Sequence, residues 1–485
     1  MKTVLIAAAL LAALPATAAA QPPAQSTVSF ENSGNTAAQP AFHRGLALLH
    51  NFEYSRAAAA FREAHAADPG FVMAYWGEAM TFNHPVWMVQ DAEAARAVLA
   101  RLAPTPAERS GRARTERERG LLEAVEILYG EGSKEERDRS YSVRMEALAL
   151  RYPDDVDIQS LYALSLLGLA HDGRDVRLYM RAAAILEPLF AAHRSHPGVL
   201  HYLIHSYDDP THAPLGLRAA RLYGAVAPDA PHARHMTSHI YLALGMWDEV
   251  IEANVAADSA VDRLRIASGR PGTSCGHYNE WLHYGLYQRS RNAEAAALAD
   301  ACFAEAQGDA GNARPLLSWA DMAVRGALET DSAPRRLTAD ADPAAQFSLA
   351  YADLLRARDA GRARQARAAL TRIDSVLAGL SGPAFLARRR AVVLAQAAAI
   401  ESLLSDRVEE GLAELRRAAE AERSMPAEFG PPLVEKPSFE LLGDELLRLG
   451  RRAEAAAAYR TALELAPGRR LSLQGLAAAE RPLAR

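Results

Sequence analysis

The stretch PSFELLGDELLRLGRRAEAAAAYRTALELAP, residues 437–467, decides how this sequence folds. Its small and large apolar residues recur at helical spacing, and they are Phe439, Leu442, Gly443, Leu446, Ala455, Tyr459, Ala462 and Pro467. Small residues let two helices approach closely, and large residues fill the gaps that remain. The final proline ends the second helix, because it cannot donate a backbone hydrogen bond and its ring clashes with the preceding turn. The stretch therefore predicts a helix-turn-helix unit.

The same spacing recurs along the chain, which indicates a repeat protein. Residues 38–71 match it through Gly45, Leu48, Ala57, Phe61, Ala64 and Pro69. Weaker copies occupy residues 72–103, 122–153, 155–195, 197–228, 231–264 and 276–308. The pattern resembles the tetratricopeptide repeat (TPR), in which a pair of helices recurs with a fixed period. The resemblance implies an all-α, TPR-like α-α superhelical solenoid, in which the first helix of each unit lines a concave groove.

Composition agrees with a helical array and excludes one class of partner. At 485 residues the chain is too long for a single compact core. Leu and Ala dominate, and both lose little free energy on entering a helix. The net charge of −5 and the pI near 6.3 provide no basic surface, so nucleic acid is not an expected partner.

The segment from Met1 to Ala20 has the features of a signal peptide. Lys2 supplies a positive charge, an apolar run follows, and small residues precede Gln21. The apolar run is shorter than the roughly 20 residues that span a bilayer. The sequence therefore predicts a cleaved, periplasmic or secreted protein without a membrane anchor.

Polar and turn-rich stretches divide the rest of the chain. Residues 21–36 are rich in Pro, Gln, Ser, Asn and Gly and predict a disordered leader. Residues 37–330 predict an N-terminal TPR-like array with a histidine-rich groove. Residues 331–344 form a turn-rich break, and residues 345–485 predict a C-terminal TPR-like array.

Six of the fifteen histidines fall between positions 201 and 239. His201 and His205 form one pair and His235 and His239 another, each spaced i, i+4 and therefore on one helix face. The second pair follows the first by one full repeat period. The pairs are equivalent positions, 5 and 9, on successive units, and both positions are expected to face the groove.

Further polar residues fall at groove positions of the same units. His232 and His277 lie at position 2 of their units, and Asp208 and Asp209 lie at positions 12 and 13. Glu280 lies at position 5 of the unit that begins near residue 276. These three carboxylates are the candidate acids or bases of a catalytic site.

This arrangement predicts a transition-metal site. Its candidate ligands are His201, His205, His232, His235, His239 and His277. Imidazole ligands suit zinc, copper, iron or nickel and do not suit magnesium or calcium. The zincin pattern is absent, because no Glu follows His201 to serve as a base. Two alternatives stay open: a hydrogen-bonding pocket for an anion or substrate, and histidines with a purely structural role.

Four other residues have less specific interpretations. His50 and His84 are also separated by one repeat period, and packing between helices is favoured over a place in the groove. Cys275 and Cys302 are the two cysteines, and they form a disulfide or remain buried thiols. A third, weaker option makes Cys275 a metal ligand.

The chain also resembles a group of exported bacterial TPR proteins without a settled activity. The resemblance is carried by Asp68-Pro69, by MAYWGEA at residues 73–79, and by the histidine motifs at residues 196–205 and 235–239. It implies fold and compartment. The favoured function is a protein whose groove binds a peptide, a protein or a small molecule beside a histidine-bound metal. A hydrolytic or redox metalloenzyme and a metal-free interaction scaffold are the alternatives.

Overall fold

A computed structural model describes residues 28–308, 312–330, 332–335, 337, 341–380, 384–426 and 429–481. These residues form 23 α-helices and one short antiparallel ribbon. The helices of the first half are α1 (Gln39–His50), α2 (Tyr54–Ala67), α3 (Val72–Met80), α4 (Ala92–Leu102), α5 (Pro106–Arg112), α6 (Glu116–Leu128), α7 (Lys134–Arg151), α8 (Val156–Leu167), α9 (Val176–Ala192), α10 (Pro197–Ser206), α11 (Ala213–Val226), α12 (Pro231–Ala243) and α13 (Trp247–Ala267).

The helices of the second half are α14 (His277–Gln288), α15 (Asn292–Gly308), α16 (Ala313–Thr330), α17 (Pro343–Asp359), α18 (Ala363–Val376), α19 (Ala384–Leu404), α20 (Val408–Arg423), α21 (Ser438–Arg448), α22 (Arg452–Leu465) and α23 (Arg470–Glu480). The ribbon pairs β1 (Asn83–His84) with β2 (Val89–Gln90) between α3 and α4. Most consecutive helices pack against each other as hairpins along the series. The fold is an all-α, TPR-like solenoid, as the sequence predicts.

The hairpins stack closely because glycines leave room for an aromatic ring. The Phe61 ring on α2 lies between Gly45 on α1 and Gly77 on α3. A Cβ atom at Gly45 would lie 2.9 Å from this ring, and one at Gly77 would lie 2.4 Å from it. Each helix pair thereby buries an apolar face against the next pair, which no single pair could do alone.

The C-terminal repeat uses the same device. The Tyr459 ring on α22 lies between Gly443 on α21 and Gly475 on α23, where added Cβ atoms would lie 2.8 Å and 2.3 Å away. Residues 437–467, from which the helix pair was predicted, form α21 and α22 with an intervening turn. Local packing chemistry is therefore the same at both ends of the array.

The part of the predicted leader that the structure describes is packed. The Phe30 ring is buried and stacks on Trp76 at 5.8 Å between ring centroids. The Ser33 backbone N–H and hydroxyl both donate to the Glu118 carboxylate, at 2.7 Å and 2.9 Å. The prediction of disorder for residues 21–36 is wrong for residues 28–36, because one aromatic ring fills a gap in the first repeats. The predicted signal peptide lies outside the described residues.

The turn-rich break does not separate two cores. Helix α17 begins at Pro343 and packs directly on α16, so that Trp319 and Leu349 belong to one apolar cluster. Farther along, the buried Arg469 donates to Glu329 on α16 at 2.9 Å and to Glu440 on α21 at 2.7 Å. The two predicted arrays are therefore continuous in packing. None of the described helices is long and apolar enough to cross a bilayer.

Candidate metal centre

Three successive groove helices carry the six predicted metal ligands. Helices α10 and α12 both begin with a proline, Pro197 and Pro231, which fits the first turn because the missing N–H has no partner there anyway. These prolines are separated by one repeat period, as are the histidine pairs that follow them. The equal starts place His201 and His205 on α10 at the heights that His235 and His239 occupy on α12. His277 is the first residue of α14.

The structure brings these six side chains together as two groups of three. In each group, one potential ligand atom per residue lies within 4.8 Å of the others. The first triad is His201, His205 and His232, and the second triad is His235, His239 and His277. Each triad joins positions 5 and 9 of one unit to position 2 of the next unit. The repeat therefore builds the same three-histidine cluster twice.

In the first triad, hydrogen bonds leave ring nitrogens free for a ligand. The His201 Nδ1–H donates to the backbone carbonyl of His50 at 2.7 Å, and its Nε2 lies 3.2 Å from the Nε2 of His232. Neither ring nitrogen of His205 has a hydrogen-bond partner, although the residue is only 2% exposed. Buried polar groups almost always have partners. Both ring nitrogens of His205 are therefore available to a ligand, as are those of His283, which lies outside the triads.

In the second triad, both Nδ1 atoms are held by acceptors. The His235 Nδ1–H donates to the Asn254 side-chain carbonyl at 2.7 Å, and the amide of Asn254 itself donates to the Val250 carbonyl. The His239 Nδ1–H donates to the Asp208 carboxylate at 2.5 Å. These partners fix the tautomer of each ring, so that both Nε2 atoms carry lone pairs.

The two Nε2 atoms of His235 and His239 face each other at 3.1 Å. Two lone pairs at this distance repel, and an added proton would place a charge on a buried ring. Burial and then the neighbouring His277 and His239 hold the pKa of His235 well below its usual value. A metal cation is the species that both nitrogens could bind at once.

Aromatic rings surround the two triads. The Phe52 ring lies 4.3 Å from the His201 ring and also contacts His205 and His232. Phe52 has a left-handed backbone, with φ of 56°, in the turn between α1 and α2, where Gly245 and Gly450 occupy the same position in other helix pairs. The Trp281 ring lies 4.5 Å from His239 and 4.6 Å from His235. Such an apolar shell limits the access of water to bound ions.

Phe429 comes from the proline-rich segment before α21 and lies against both triads. Its ring centroid is 5.8 Å from that of His205 and 5.9 Å from that of His239. The next residue, Gly430, is close to the Trp281 ring, where an added Cβ would lie at 2.4 Å. The segment before α21 therefore covers part of both triads.

The three candidate acids and bases lie outside the triads. Asp208 accepts from the His239 Nδ1–H, so it orients a ligand. Burial opposes the ionisation of Asp209, but Arg174 at 2.7 Å and then His212 outweigh it and lower its pKa. Burial raises the pKa of Glu280, whose carboxylate interacts with Ser318. None of the three belongs to a histidine triad, and their catalytic roles stay predictions.

A second histidine cluster has matched hydrogen bonds. The His196 Nδ1 accepts from the Val199 backbone N–H at 3.3 Å, so its protonated Nε2 donates to the Asp157 carboxylate at 3.2 Å. The His50 Nε2–H donates to the same oxygen at 2.9 Å, and the His50 Nδ1 bonds to the Tyr202 hydroxyl at 2.9 Å. These three side chains also lie close enough together to hold a metal, and the second carboxylate oxygen of Asp157 has no hydrogen-bond partner. The ring nitrogens of His50 and His196, however, all have partners without a metal. His50 thus packs between helices, as the favoured interpretation has it.

The remaining predicted features are also placed. His84 stacks on Tyr54 with ring centroids 3.9 Å apart, in agreement with packing between helices. Cys275 and Cys302 form a disulfide, so the option of Cys275 as a metal ligand is wrong. The disulfide fixes the chain just before His277. Sequence analysis missed the residues that orient or enclose the triads, which are Phe52, Asn254, Trp281 and Phe429.

The solved structures to which this chain is similar are distant, and each of the three described here has a TM-score below 0.5. No family model matches the sequence, and no curated protein matches it. A human IFIT1 dimer with PPP-AAAA is 14% identical, with 93% of this chain and 95% of that chain covered and a TM-score of 0.36. Yeast Tom70 is 11% identical, with 91% and 95% covered and a TM-score of 0.33. The P58(IPK) TPR domain is 11% identical, with 92% and 97% covered and a TM-score of 0.23.

Proposed function

We propose that this protein binds transition-metal ions in its two histidine triads, on a TPR-like scaffold suited to protein or ligand binding. One observation carries the proposal. The Nδ1–H groups of His235 and His239 are both committed to acceptors, and their Nε2 lone pairs face each other at 3.1 Å. Neutral imidazoles whose second ring nitrogen donates to a carboxylate, an amide or a backbone carbonyl are common ligands of zinc, copper and iron.

Metal analysis of protein purified without a histidine tag tests the proposal. The chain is loaded with zinc, freed of excess ion and analysed by inductively coupled plasma mass spectrometry. We expect bound zinc in the native chain and a loss of bound zinc in the variant His239→Ala. Zinc-free protein after loading would contradict metal binding.

A matched pair of variants separates binding from folding. His205 and His283 are both buried and have no hydrogen-bond partner on either ring nitrogen, but only His205 belongs to a triad. We expect His205→Gln to lower the bound zinc while His283→Gln leaves it unchanged, with the helical circular dichroism of both retained. Equal loss in both variants would mean that these histidines act through packing.

A metal-dependent enzyme is the second candidate, and the number of ligands favours it. Each triad offers three protein ligands, and His277 is exposed while His232 is half-buried. Structural zinc sites are closed by four protein ligands, whereas catalytic sites keep one position for water or substrate. The cobalt-loaded protein tests this candidate. We expect azide to change its visible absorption spectrum; an unchanged spectrum would favour a closed, structural site.

Export to the periplasm or the medium is part of the proposed function. The disulfide between Cys275 and Cys302 supports an oxidising compartment, because such bonds are rare in the cytosol. Peptide sequencing of the mature protein from cell fractions tests export. We expect it in the periplasmic or extracellular fraction with residues 1–20 removed.

A further inference from the structure

We infer that the two triads hold a pair of copper ions in one pocket, and that the reduced pair transfers two electrons to dioxygen. The inference rests on the proposed function and adds the number of ions, their identity and their co-reactant. Its first support is the closeness of the triads. The ring centroids of His205 and His239 are 6.1 Å apart, and those of His232 and His235 are 6.3 Å apart. These contacts join one triad to the other.

If each triad held one ion, histidine rings bound to the two different ions would therefore be direct neighbours. An ion binds an imidazole nitrogen at about 2.0–2.1 Å. The two ring–ring contacts leave no side chain between the triads along these lines. His232 and His235 are moreover neighbours on one helix, α12, so the spacing between the triads is fixed by a rigid element.

Charge argues for ions of low valence. The six imidazoles are neutral ligands, and one carboxylate, Asp208, reaches them through the His239 Nδ1–H. Among the other nearby carboxylates of the described residues, Asp209 pairs with Arg174 and Glu53 pairs with Arg56. Asp157 accepts hydrogen bonds from His50 and His196, which lie outside the triads. Two divalent ions would leave three excess positive charges here, whereas two copper(I) ions would leave one. Uncompensated charge is costly in a buried site.

The ligands and their surroundings agree with copper. Imidazole nitrogens suit copper as well as zinc and iron, and copper is the one of these three metals with a stable monovalent state. The Phe52, Trp281 and Phe429 rings limit the access of water, which favours the ion of lower charge. Zinc pairs and iron pairs need anionic ligands to offset their charge, and neither triad contains a carboxylate.

A pair of copper(I) ions can reduce one dioxygen molecule by two electrons. Each copper(I) gives up one electron and becomes copper(II), and dioxygen is reduced to the level of peroxide. Two protons from solvent release hydrogen peroxide, so charge and atoms balance without another reductant. One ion alone supplies one electron, which is why both triads are required.

Anaerobic titration of the tag-free, metal-free chain with copper(I) tests the inference. A chromophoric chelator competes for the ion, and oxygen is admitted after removal of excess copper. We expect two copper ions per chain, uptake of one dioxygen per pair, and one hydrogen peroxide released. We also expect the electron paramagnetic resonance signal after oxidation to fall well below the total copper, because adjacent copper(II) spins couple.

The outcomes separate this inference from metal binding itself. No copper and no zinc would overturn both proposals. One ion per chain, or two ions with the full resonance signal of isolated copper(II), would overturn the pair and leave metal binding intact. Tight binding of two zinc ions and no copper would overturn the identity of the metal.

Single-triad variants test whether the ions act together. His205→Gln removes a ligand of the first triad, and His277→Gln removes an exposed ligand of the second triad whose loss leaves the core unchanged. We expect each variant to keep about one copper and to lose the uptake of dioxygen by more than tenfold. The control His283→Gln keeps two ions and full uptake. Unchanged uptake in His277→Gln would overturn the joint action of the triads.

Discussion

The two histidine clusters of this protein are built from the same residue types and differ in how their nitrogens are used. In the cluster of His50, His196 and Asp157, ring N–H groups meet a carboxylate oxygen and a ring lone pair meets a backbone N–H. In the triads, Nε2 lone pairs face each other, and His205 has no partner at all. Proximity alone would assign a metal to both clusters. The proposal of a metal in the triads rests instead on which ring nitrogens already have hydrogen-bond partners.

The largest expected effect is on the matched cluster. In Asp157→Asn, one amide nitrogen or a weaker carbonyl replaces the acceptor of two histidine N–H groups. Breaking a buried charged network typically costs about 3–5 kcal/mol. We expect this loss in the opening free energy of α8 and α10, measured by native-state hydrogen exchange, with the number of bound metal ions unchanged. A stable variant that no longer binds metal would reverse the roles of the two clusters.

The disulfide gives the next largest effect. It closes a loop between residues 27 positions apart and holds the chain just before His277. Its loss in Cys302→Ser is expected to destabilise the local fold by about 2–4 kcal/mol. Metal binding should weaken in the second triad more than in the first, because only the second contains His277. Calorimetric titration of the serine variant checks this, and equal weakening of both sites would contradict it.

Asp208 and Asp157 form a matched comparison, since both accept a hydrogen bond from a histidine. Asp208→Asn keeps a carbonyl acceptor for the His239 Nδ1–H and removes the charge. Losing such an orienting partner typically costs about 10–100-fold in metal affinity. We expect that loss for the second triad, with a stability change of less than about 1 kcal/mol, the net worth of one ordinary hydrogen bond. Large destabilisation with unchanged affinity would make Asp208 a structural residue like Asp157.

The sequence could predict those contacts that follow from equivalent positions in successive repeats. The repeat period carries His201 and His205 onto His235 and His239, and the structure places each pair on one helix face. Position 2 of the next unit completes each triad for the same reason. Solenoid packing links neighbouring units, so periodicity along the chain becomes adjacency in space.

Contacts between residues that are not related by the repeat period could not be predicted from the sequence. Phe429 reaches His205 from another part of the array, and no local pattern marks that approach. Arg174 neutralises Asp209 from another helix pair, so the sequence position of Asp209 alone suggested a free acid. Phe30 gives the opposite case: the polar composition around it predicted disorder, but its ring is buried. These contacts depend on how the array curls, which spacing within a unit does not determine.

The last and smallest expected effect is a difference in how the stability of the two clusters depends on pH. Burial opposes ionisation of Asp157, but hydrogen bonds from His196 and His50 outweigh it and hold its pKa below the usual range. The unfolded chain therefore takes up this proton first as pH falls, and the stability that Asp157 contributes above about pH 4 is lost below it. Burial lowers the pKa of His205, so its contribution is lost earlier, as pH falls below about 6.5.

In the absence of metal, the variants Asp157→Asn and His205→Gln should therefore lose the pH dependence of stability over different pH ranges. We expect Asp157→Asn to flatten the pH dependence of local opening below about pH 4, and His205→Gln to flatten it from about pH 6.5 downward, each by on the order of 1 kcal/mol. Hydrogen exchange of α10 from pH 7 to pH 3 checks both windows. If both variants flattened the same window, the two clusters would titrate as one network, and the distinction between matched and unmatched histidines would fail.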